Sequence, residues 1–267
     1  MLKGLYTAYT GMINEQNRMD VLTNNLANAS TVGFKKEGAT SQAFDEVLAL
    51  KIKDTTYAGY AKPLGNISMG VKIGENYTDY SQGSIRETGN TYDIALSGTG
   101  FFTVEFTNKA GQTSTKYTRD GGFTLNKDGY LVTKDGDYVL GKNGRIKLDP
   151  LKTSAIDKMG NIYQNDTLVA TLNITDFEDY NYLEHYGENY YQPVEGAKTK
   201  AGEYQTLSGY LEMSNMSVVQ EMVNMISVSR AYETNQKIVQ TYDSSLEIAV
   251  KQLGKVYGLD LRPRSKR

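Results

Sequence analysis

The stretch SVVQEMVNMISVSRAYETNQKIVQTYDSSLEIAVKQL, residues 217–253, carries the heptad pattern that decides the fold of this chain. Its apolar positions recur at alternating steps of three and four residues, which is typical of a helix that packs along one face. We therefore predict one helix over residues 217–253, about 55 Å long, which is far longer than an average globular helix. The seam comprises Met222, Met225, Ser229, Tyr232, Gln236, Val239, Asp243, Leu246, Val250, Leu253 and Tyr257.

A second seam lies at the other end of the chain, and the polar cluster NAST at residues 28–31 ends it. This pattern predicts a helix over residues 4–27. One amphipathic helix usually packs on its own domain, but matching seams at both termini favour two arms that associate in a coiled-coil-like domain. The N-terminal seam comprises Leu2, Leu5, Tyr9, Met12, Gln16, Met19, Thr23 and Leu26.

Between the two helices the apolar period changes to two. The runs DIAL (93–96), FFTV (101–104), FTL (123–125) and YLV (130–132) are typical of half-buried strands. Asp-Gly at 128–129 and 135–136 and Asn-Gly at 143–144 are turn dipeptides, because they tolerate positive φ. The chain is therefore expected to be α+β, with a central, mainly antiparallel β domain.

These patterns divide the chain into five parts. We predict an N-terminal helical arm over residues 1–35, a linker or extended region over 36–70, and a central β-rich domain over 71–210. A C-terminal helical arm follows over 211–257, and a basic tail over 258–267. Within the linker, Phe44, Val47, Leu48 and Ile52 predict one short helix.

Composition excludes several classes of function. The 29 basic and 31 acidic residues give a net charge of −2, which makes no case for nucleic acid or an anionic membrane as a general partner. The absence of Cys excludes disulfides and thiolate metal sites. No run is apolar enough to cross a bilayer, and the N-terminus lacks the apolar core of a cleaved signal peptide.

A search for chemistry finds no catalytic, cofactor-binding or metal-binding candidates. The lone His185 cannot build a multi-His site, and neither a phosphate-binding loop nor a nucleophile elbow is present. Carboxylate neighbours such as Glu178 and Asp179 fall in turns, where they seldom perform acid–base catalysis. The Tyr-rich segment at 177–191 has two equal interpretations, a surface between subunits or a cap on the β core.

Signature-like segments at both ends then point to one family. Residues 19–35 (MDVLTNNLANASTVGFK) resemble the N-terminal signature of the flagellar rod and hook protein family. The segments LEMSN (211–215), EMVNMI (221–226) and RAYETN (230–235) resemble its C-terminal signature, and DIALSGTGFF (93–102) and YTRDGGF (117–123) resemble its centre. The signature residues are Asn24, Asn25, Leu26, Ala27, Asn28, Gly33, Phe34, Ser214, Asn215, Arg230, Ala231, Tyr232 and Glu233.

The resemblance implies a non-enzymatic structural subunit of the bacterial flagellar basal-body rod, without cofactors. It implies export without cleavage through the flagellar type III apparatus, a place outside the cytoplasmic membrane, and a torque-transmitting helical tube built with other rod and hook proteins inside the surrounding ring proteins. The expected oligomerisation seam consists of Leu5, Tyr9, Met12, Met19, Leu26, Met222, Met225, Tyr232, Val239, Leu246, Val250 and Leu253.

The subtype and two rival classes stay open at this point. Chain length and the segment 44–71 resemble the distal rod protein, with a proximal rod or hook-type subunit as the alternative, whereas residues 254–267 have no counterpart in the pattern. The rivals are a closed coiled-coil oligomer that displays β domains on a surface, and a carbohydrate-active enzyme with helical extensions. Neither rival explains both terminal signatures.

Overall fold

The computed structural model describes residues 2–51, 62–108, 111–187 and 189–259. Helix α1 comprises Leu2–Ala27 and helix α2 comprises Val218–Leu259. Both predicted helices are therefore confirmed, and α2 continues several residues beyond the predicted end. The segments between them are mainly antiparallel strands, so the α+β class is also confirmed.

The described strands are numbered in chain order. They are β1 (Glu37–Ala43), β2 (Val47–Lys51), β3 (Lys62–Ile67), β4 (Val71–Thr78), β5 (Ile85–Glu87), β6 (Ile94–Gly98), β7 (Phe101–Thr107), β8 (Thr113–Thr118), β9 (Thr124–Leu125), β10 (Leu131–Val132), β11 (Tyr138–Gly141), β12 (Gly144–Arg145), β13 (Ser154–Ile156), β14 (Asn161–Gln164), β15 (Thr167–Thr171), β16 (Ile174–Phe177), β17 (Leu183–Tyr186), β18 (Tyr190–Pro193), β19 (Thr199–Lys200), β20 (Tyr204–Ser208) and β21 (Tyr210–Glu212).

The chain forms two compact units. The arm unit comprises Met1–Asn24, Glu37–Tyr77 and Val219–Arg267, and the β unit comprises Asn25–Lys36 and Thr78–Val218. The largest sheet of the β unit has the order β17-β18-β8-β7-β11-β10-β9, and β12 and β16 also pair with members of this sheet. Smaller sheets are β13-β14-β15, β20-β6 and β21-β5 in the β unit, and β1-β4 and β2-β3 in the arm unit.

The core of the β unit lies on one face of β6, β7 and β11. Ile94, Phe102, Val104 and Leu131 are among its fully buried side chains. A second cluster groups Phe101, Phe177, Leu183 and Tyr191. Because each cluster draws on strands that are distant in sequence, the β unit contains its own hydrophobic core.

The chain turns at the Asp-Gly and Asn-Gly dipeptides where turns were predicted. Gly129, Gly136 and Gly144 all have positive φ, between +82° and +105°. Each follows Asp or Asn. Gly129 and Gly136 lie in connections between neighbouring strands and Gly144 begins β12 directly after the turn from β11, so the turn prediction is confirmed.

The short helix predicted ahead of the linker is wrong. Val47 and Leu48 lie in β2, which pairs with β3 in an antiparallel hairpin, while Phe44 lies in a connection and Ile52 falls outside the described residues. Apolar residues three to five positions apart fit a helix or a short strand equally well, and pairing with β3 decides between them.

Candidate assembly surface

The two terminal helices contact each other at glycines of α1. A Cβ atom placed on Gly4 would overlap the phenol of Tyr242, and one placed on Gly11 would lie 2.9 Å from Asn235 Nδ2. A larger residue at either position would have to displace the Tyr242 or Asn235 side chain. Since the partner number falls by seven as the α1 number rises by seven, the helices run antiparallel at this contact.

The α1 seam residues have two kinds of surroundings. Leu5, Met12, Met19 and Leu26 are half-buried, whereas Tyr9 is 52% exposed. Ala8, which the heptad analysis did not include, is buried. Along a different face, Asn14 Nδ2 donates to Ser41 Oγ of β1 at 3.0 Å, so α1 packs on more than one side.

The α2 seam is divided in the same way. Met225, Tyr232 and Val239 are half-buried, whereas Met222, Leu246 and Val250 are exposed. The side chain of Leu253 lies outside the described residues. The predicted seam omits the buried Val228, which lies three residues after Met225 and four before Tyr232. The predicted seam has Ser229 at this step, so the buried stripe is shifted there by one residue.

Helix α2 is much longer than its partner. With 42 residues against 26, it spans about 63 Å against about 39 Å. Because residues 4 and 242 lie opposite each other, the last roughly fifteen residues of α2, about 22 Å, extend past the start of α1. Leu246, Ile248 and Val250 on this overhang are exposed apolar side chains.

A second exposed apolar patch lies near the start of α2. Val219, Val223 and Ile226 follow one face of the helix, and the last two line a shallow groove with Ser227 and Arg230. Long apolar side chains in a contiguous stripe are typical of a surface that another protein covers.

The signature residues fall into three groups. Asn24 to Ala27 end α1 and Asn28 lies in the turn after it, with Asn25 buried. Gly33, Phe34 and Ser214 are buried in the β unit, and Asn215 is half-buried beside them. The third group lies on α2, where Arg230 and Glu233 are exposed while Ala231 and Tyr232 are half-buried.

An ion cluster in the β unit joins the two segments of the second group, and the sequence analysis missed it. Glu212 Oε1 accepts from Lys35 Nζ at 2.6 Å, and Glu212 Oε2 accepts from Arg119 Nη1 at 3.2 Å. All three side chains are at most 5% exposed. Burial lowers the pKa of the Lys35 ammonium, and attraction to Glu212 partly offsets this effect. A Lys and a Glu within signature-like segments were the signal available in the sequence.

Part of the Tyr-rich segment caps the β core as one of the two interpretations predicts, and the surface between subunits stays a prediction. Tyr190 and Tyr191 are buried in the two core clusters, whereas Tyr182 and Tyr186 are exposed. His185 lies edge-on to Tyr191, with ring centroids 5.5 Å apart. Within the described residues, no group of three His, Cys, Asp or Glu side chains is placed to hold a metal ion.

Hydropathy gives a further observation on the helices. Neither α1 nor α2, within the part of the chain that the structure describes, has a stretch long and apolar enough to span a membrane.

Long terminal helices with exposed apolar stripes beside a self-contained β unit are typical of a structural protein that assembles with others. Three descriptions of flagellar families match the chain. "Flagella basal body rod protein" matches residues 5–35, "Flagellar hook protein FlgE/F/G D1 domain" matches 95–164, and "Flagellar basal body rod FlgEFG protein C-terminal" matches 207–252.

Similar proteins match over nearly the whole length. The flagellar basal-body rod protein FlgG of Bacillus subtilis is 32% identical, over 92% of this chain and 97% of its own. FlgF of Caulobacter vibrioides is 32% identical over 96% and 100%, and the flagellar hook-basal body complex protein FlhO of B. subtilis is 30% identical over 96% and 100%. The chain belongs to the flagellar basal-body rod protein family and is a structural, non-enzymatic subunit.

Proposed function

We propose that this chain polymerises through its terminal helices into a helical tube that transmits torque, as a subunit of the distal rod. In this proposal the chain is exported uncleaved by the flagellar type III apparatus and assembles with other rod and hook proteins, inside the surrounding rings. The five-part division into arms, linker, central domain and tail describes the working parts of that subunit.

The observation that carries the proposal is the apolar overhang of α2. Leu246, Ile248 and Val250 are exposed where α1 can no longer cover them. Burying a Leu, Ile or Val side chain is worth about 1.5–3 kcal/mol, so covering this surface would stabilise an assembled state substantially. The residues that could cover it are the similarly exposed Val219, Val223 and Ile226 near the start of α2 in a second copy.

Such a contact joins different surfaces of two copies, so it is heterologous. A heterologous contact whose rotation does not close on itself produces an open helical filament. Since every copy in a polar filament points the same way, α1 and α2 of neighbouring copies would also meet antiparallel and could extend the coiled-coil-like packing. The half-buried seam residues Met225, Tyr232 and Val239 and the exposed Tyr9 and Met222 belong to this layer.

A matched pair of substitutions tests the overhang. Val250→Asp places a carboxylate on the apolar face that Val250 shares with Leu246, whereas Ser245→Asp places the same charge at an exposed polar position about 140° around the helix from Val250. We expect Val250→Asp to abolish rods in electron micrographs of basal bodies and to abolish swimming, with both retained in Ser245→Asp.

Two outcomes would contradict this proposal. Normal rods with Val250→Asp would show that the overhang is not part of the assembly surface. A small, concentration-independent oligomer of the purified chain in sedimentation experiments would favour a closed coiled-coil assembly over a filament.

The distal position rests on the segment 44–71, which contains the β2-β3 hairpin. Identity alone does not separate distal from proximal, because FlgG and FlgF relatives match at 32% each. Electron microscopy of basal bodies labelled with an antibody against this chain would decide the question. Label next to the hook supports the distal rod, and label next to the inner membrane supports the proximal rod.

A further inference from the structure

Three distant segments of the chain meet at the Glu212 carboxylate in the β unit. Lys35 belongs to the segment that follows α1, Glu212 ends β21 just before α2, and Arg119 follows β8 in the body of the unit. Glu212 Oε1 also accepts from the backbone N–H of Gly83 at 2.9 Å. Both carboxylate oxygens are therefore occupied by donors from other parts of the chain.

Each of the two cations also donates to one backbone carbonyl. Lys35 Nζ donates to the carbonyl of Ser81 at 2.8 Å, and Arg119 Nη2 donates to the carbonyl of Gly98 at 2.8 Å. The Arg119 guanidinium also lies 5.4 Å from the ring centroid of Phe101. Such multiple contacts fix the position of each charge, because moving one group leaves several buried partners unsatisfied.

Backbone contacts tie the same segments together beside the ion cluster. The N–H of Gly33 donates to the carbonyl of Glu212 at 2.7 Å, and the N–H of Lys36 donates to Asn215 Oδ1 at 2.9 Å. Asn215 Nδ2 in turn donates to the carbonyl of Asp79 at 2.7 Å. The segment leading from α1 is therefore bonded to the segment leading to α2 at two places.

Glycine is required where these segments cross. Gly33 has a φ of +71°, and a Cβ atom there would lie 2.5 Å from the backbone of Arg119 and Asp120. The next residue, Phe34, is 1% exposed and packs edge-on to His185, with ring centroids 6.4 Å apart. A left-handed glycine followed by a buried aromatic anchor sets the path of the chain as it leaves the β unit.

We propose that Lys35, Glu212, Arg119 and Asn215 form a mechanical joint that carries twisting load between the terminal helices and the β unit. This inference rests on the proposed rod function. The ion pairs and hydrogen bonds of this joint hold the two connecting segments to each other and to the body of the β unit. Load therefore passes through these contacts as well as through the two covalent connections. In this view the signature residues Gly33, Phe34 and Asn215 serve load transfer within a subunit rather than contact between subunits.

Hydrogen exchange of the purified full-length chain tests the joint without any need for assembly. Glu212→Gln keeps the shape of the side chain but removes its charge, and Asn215→Ala is a milder second variant should Glu212→Gln fail to fold. The control is Glu105→Gln, which breaks the exposed pair between Glu105 Oε2 and Arg145 Nε, 2.7 Å apart in the same unit.

We expect Glu212→Gln and Asn215→Ala to speed exchange about tenfold in residues 31–37 and 209–216, while β7 and β8 change little, because only the joint opens. The control Glu105→Gln should leave exchange unchanged in residues 31–37 and 209–216. Unchanged exchange in the two segments would overturn the joint, and so would a uniform increase across the β unit, since that would indicate an ordinary contribution to stability.

A second measurement links the joint to load. Cells carrying Asn215→Ala are expected to build rods of normal number and length, to swim normally in dilute medium, and to lose speed in viscous medium relative to wild type. Normal speed at high viscosity would overturn the load-bearing role while leaving the rod function intact. Absence of this chain from wild-type rods would instead contradict the rod function.

Discussion

The β unit and the arm unit differ in where their apolar side chains lie. In the β unit, side chains such as Phe102, Phe123 and Leu131 are buried almost completely. In the arm unit, within the residues that the structure describes, the buried apolar side chains are Ala8 and Val228. One unit therefore contains the burial that stabilises it, and the other leaves many of its apolar side chains exposed.

The difference is equally clear in the polar groups. In the β unit the buried Glu212 meets two opposite charges, Lys35 and Arg119. The α2 ion pair Lys251–Glu247 is exposed and contributes little. Stability in the free chain should therefore be concentrated in the β unit.

The largest effect is expected from a core truncation in the β unit. Phe102→Ala removes a fully buried ring and should lower the free energy of unfolding by about 3–5 kcal/mol. Met222→Ala in the arm unit removes an exposed side chain and should change the same quantity by less than about 0.5 kcal/mol. Urea unfolding followed by Tyr fluorescence measures both. Comparable losses in the two variants would contradict the division between the units.

An intermediate effect is expected at the helix contact. Met225→Asp places a charge on a half-buried position and should weaken the packing of α1 on α2 by about 1–3 kcal/mol. Met222→Asp, on an exposed position three residues earlier, should leave that packing intact. Limited proteolysis of the free chain measures the packing, and electron microscopy of basal bodies measures assembly.

Both variants are expected to lack rods, and only Met225→Asp should be cut faster within α1. Retained rods in Met222→Asp would place that residue outside the assembly surface. Equal protease resistance in both variants would show that Met225 does not stabilise the helix pair.

The smallest effect concerns alkaline pH and is confined to the β unit. Burial, together with a 2.8 Å hydrogen bond to Asp176 Oδ1, raises the pKa of Tyr180 to about 12. Since the folded pKa exceeds the unfolded value of about 10, this contribution is fully present below pH 10 and is lost as pH rises toward 12. The same causes raise the pKa of Tyr190, which donates to Asp137 Oδ2 at 2.8 Å.

Tyr180→Phe should therefore make the β unit less sensitive to alkaline pH. Between pH 8 and pH 11 the variant should lose less unfolding free energy than wild type, by at most about 1 kcal/mol because the phenol is partly solvated. Urea unfolding at the two pH values tests this. An equal loss in wild type and variant would show that Tyr180 ionisation does not contribute.

Strong periodicity explains which features the sequence predicted well. The heptads at both termini predicted α1 and α2 to within a few residues, apart from the extra turn or two of α2. Alternating apolar runs and Asp-Gly turns predicted the antiparallel β region. These features are local, so that spacing along the chain is enough to detect them.

Features that depend on close packing were missed. The heptad analysis counted large side chains, but α1 also contacts α2 at Gly4 and Gly11, which it did not count. The strand β1 was missed because its mainly polar residues show no alternation, and the apolar β2 was predicted as a helix. The ion cluster was missed because Lys35, Arg119 and Glu212 meet only after folding.

The contacts at Gly4 and Gly11 also bear on the proposed tube. There the side chains of Tyr242 and Asn235 reach from α2 to the surface of α1. The alignment of α1 along α2 is therefore set by two side chains of α2 rather than by close approach of the two backbones. In the proposed tube every copy would repeat this alignment, so an offset within one helix pair would recur in each copy along the shaft.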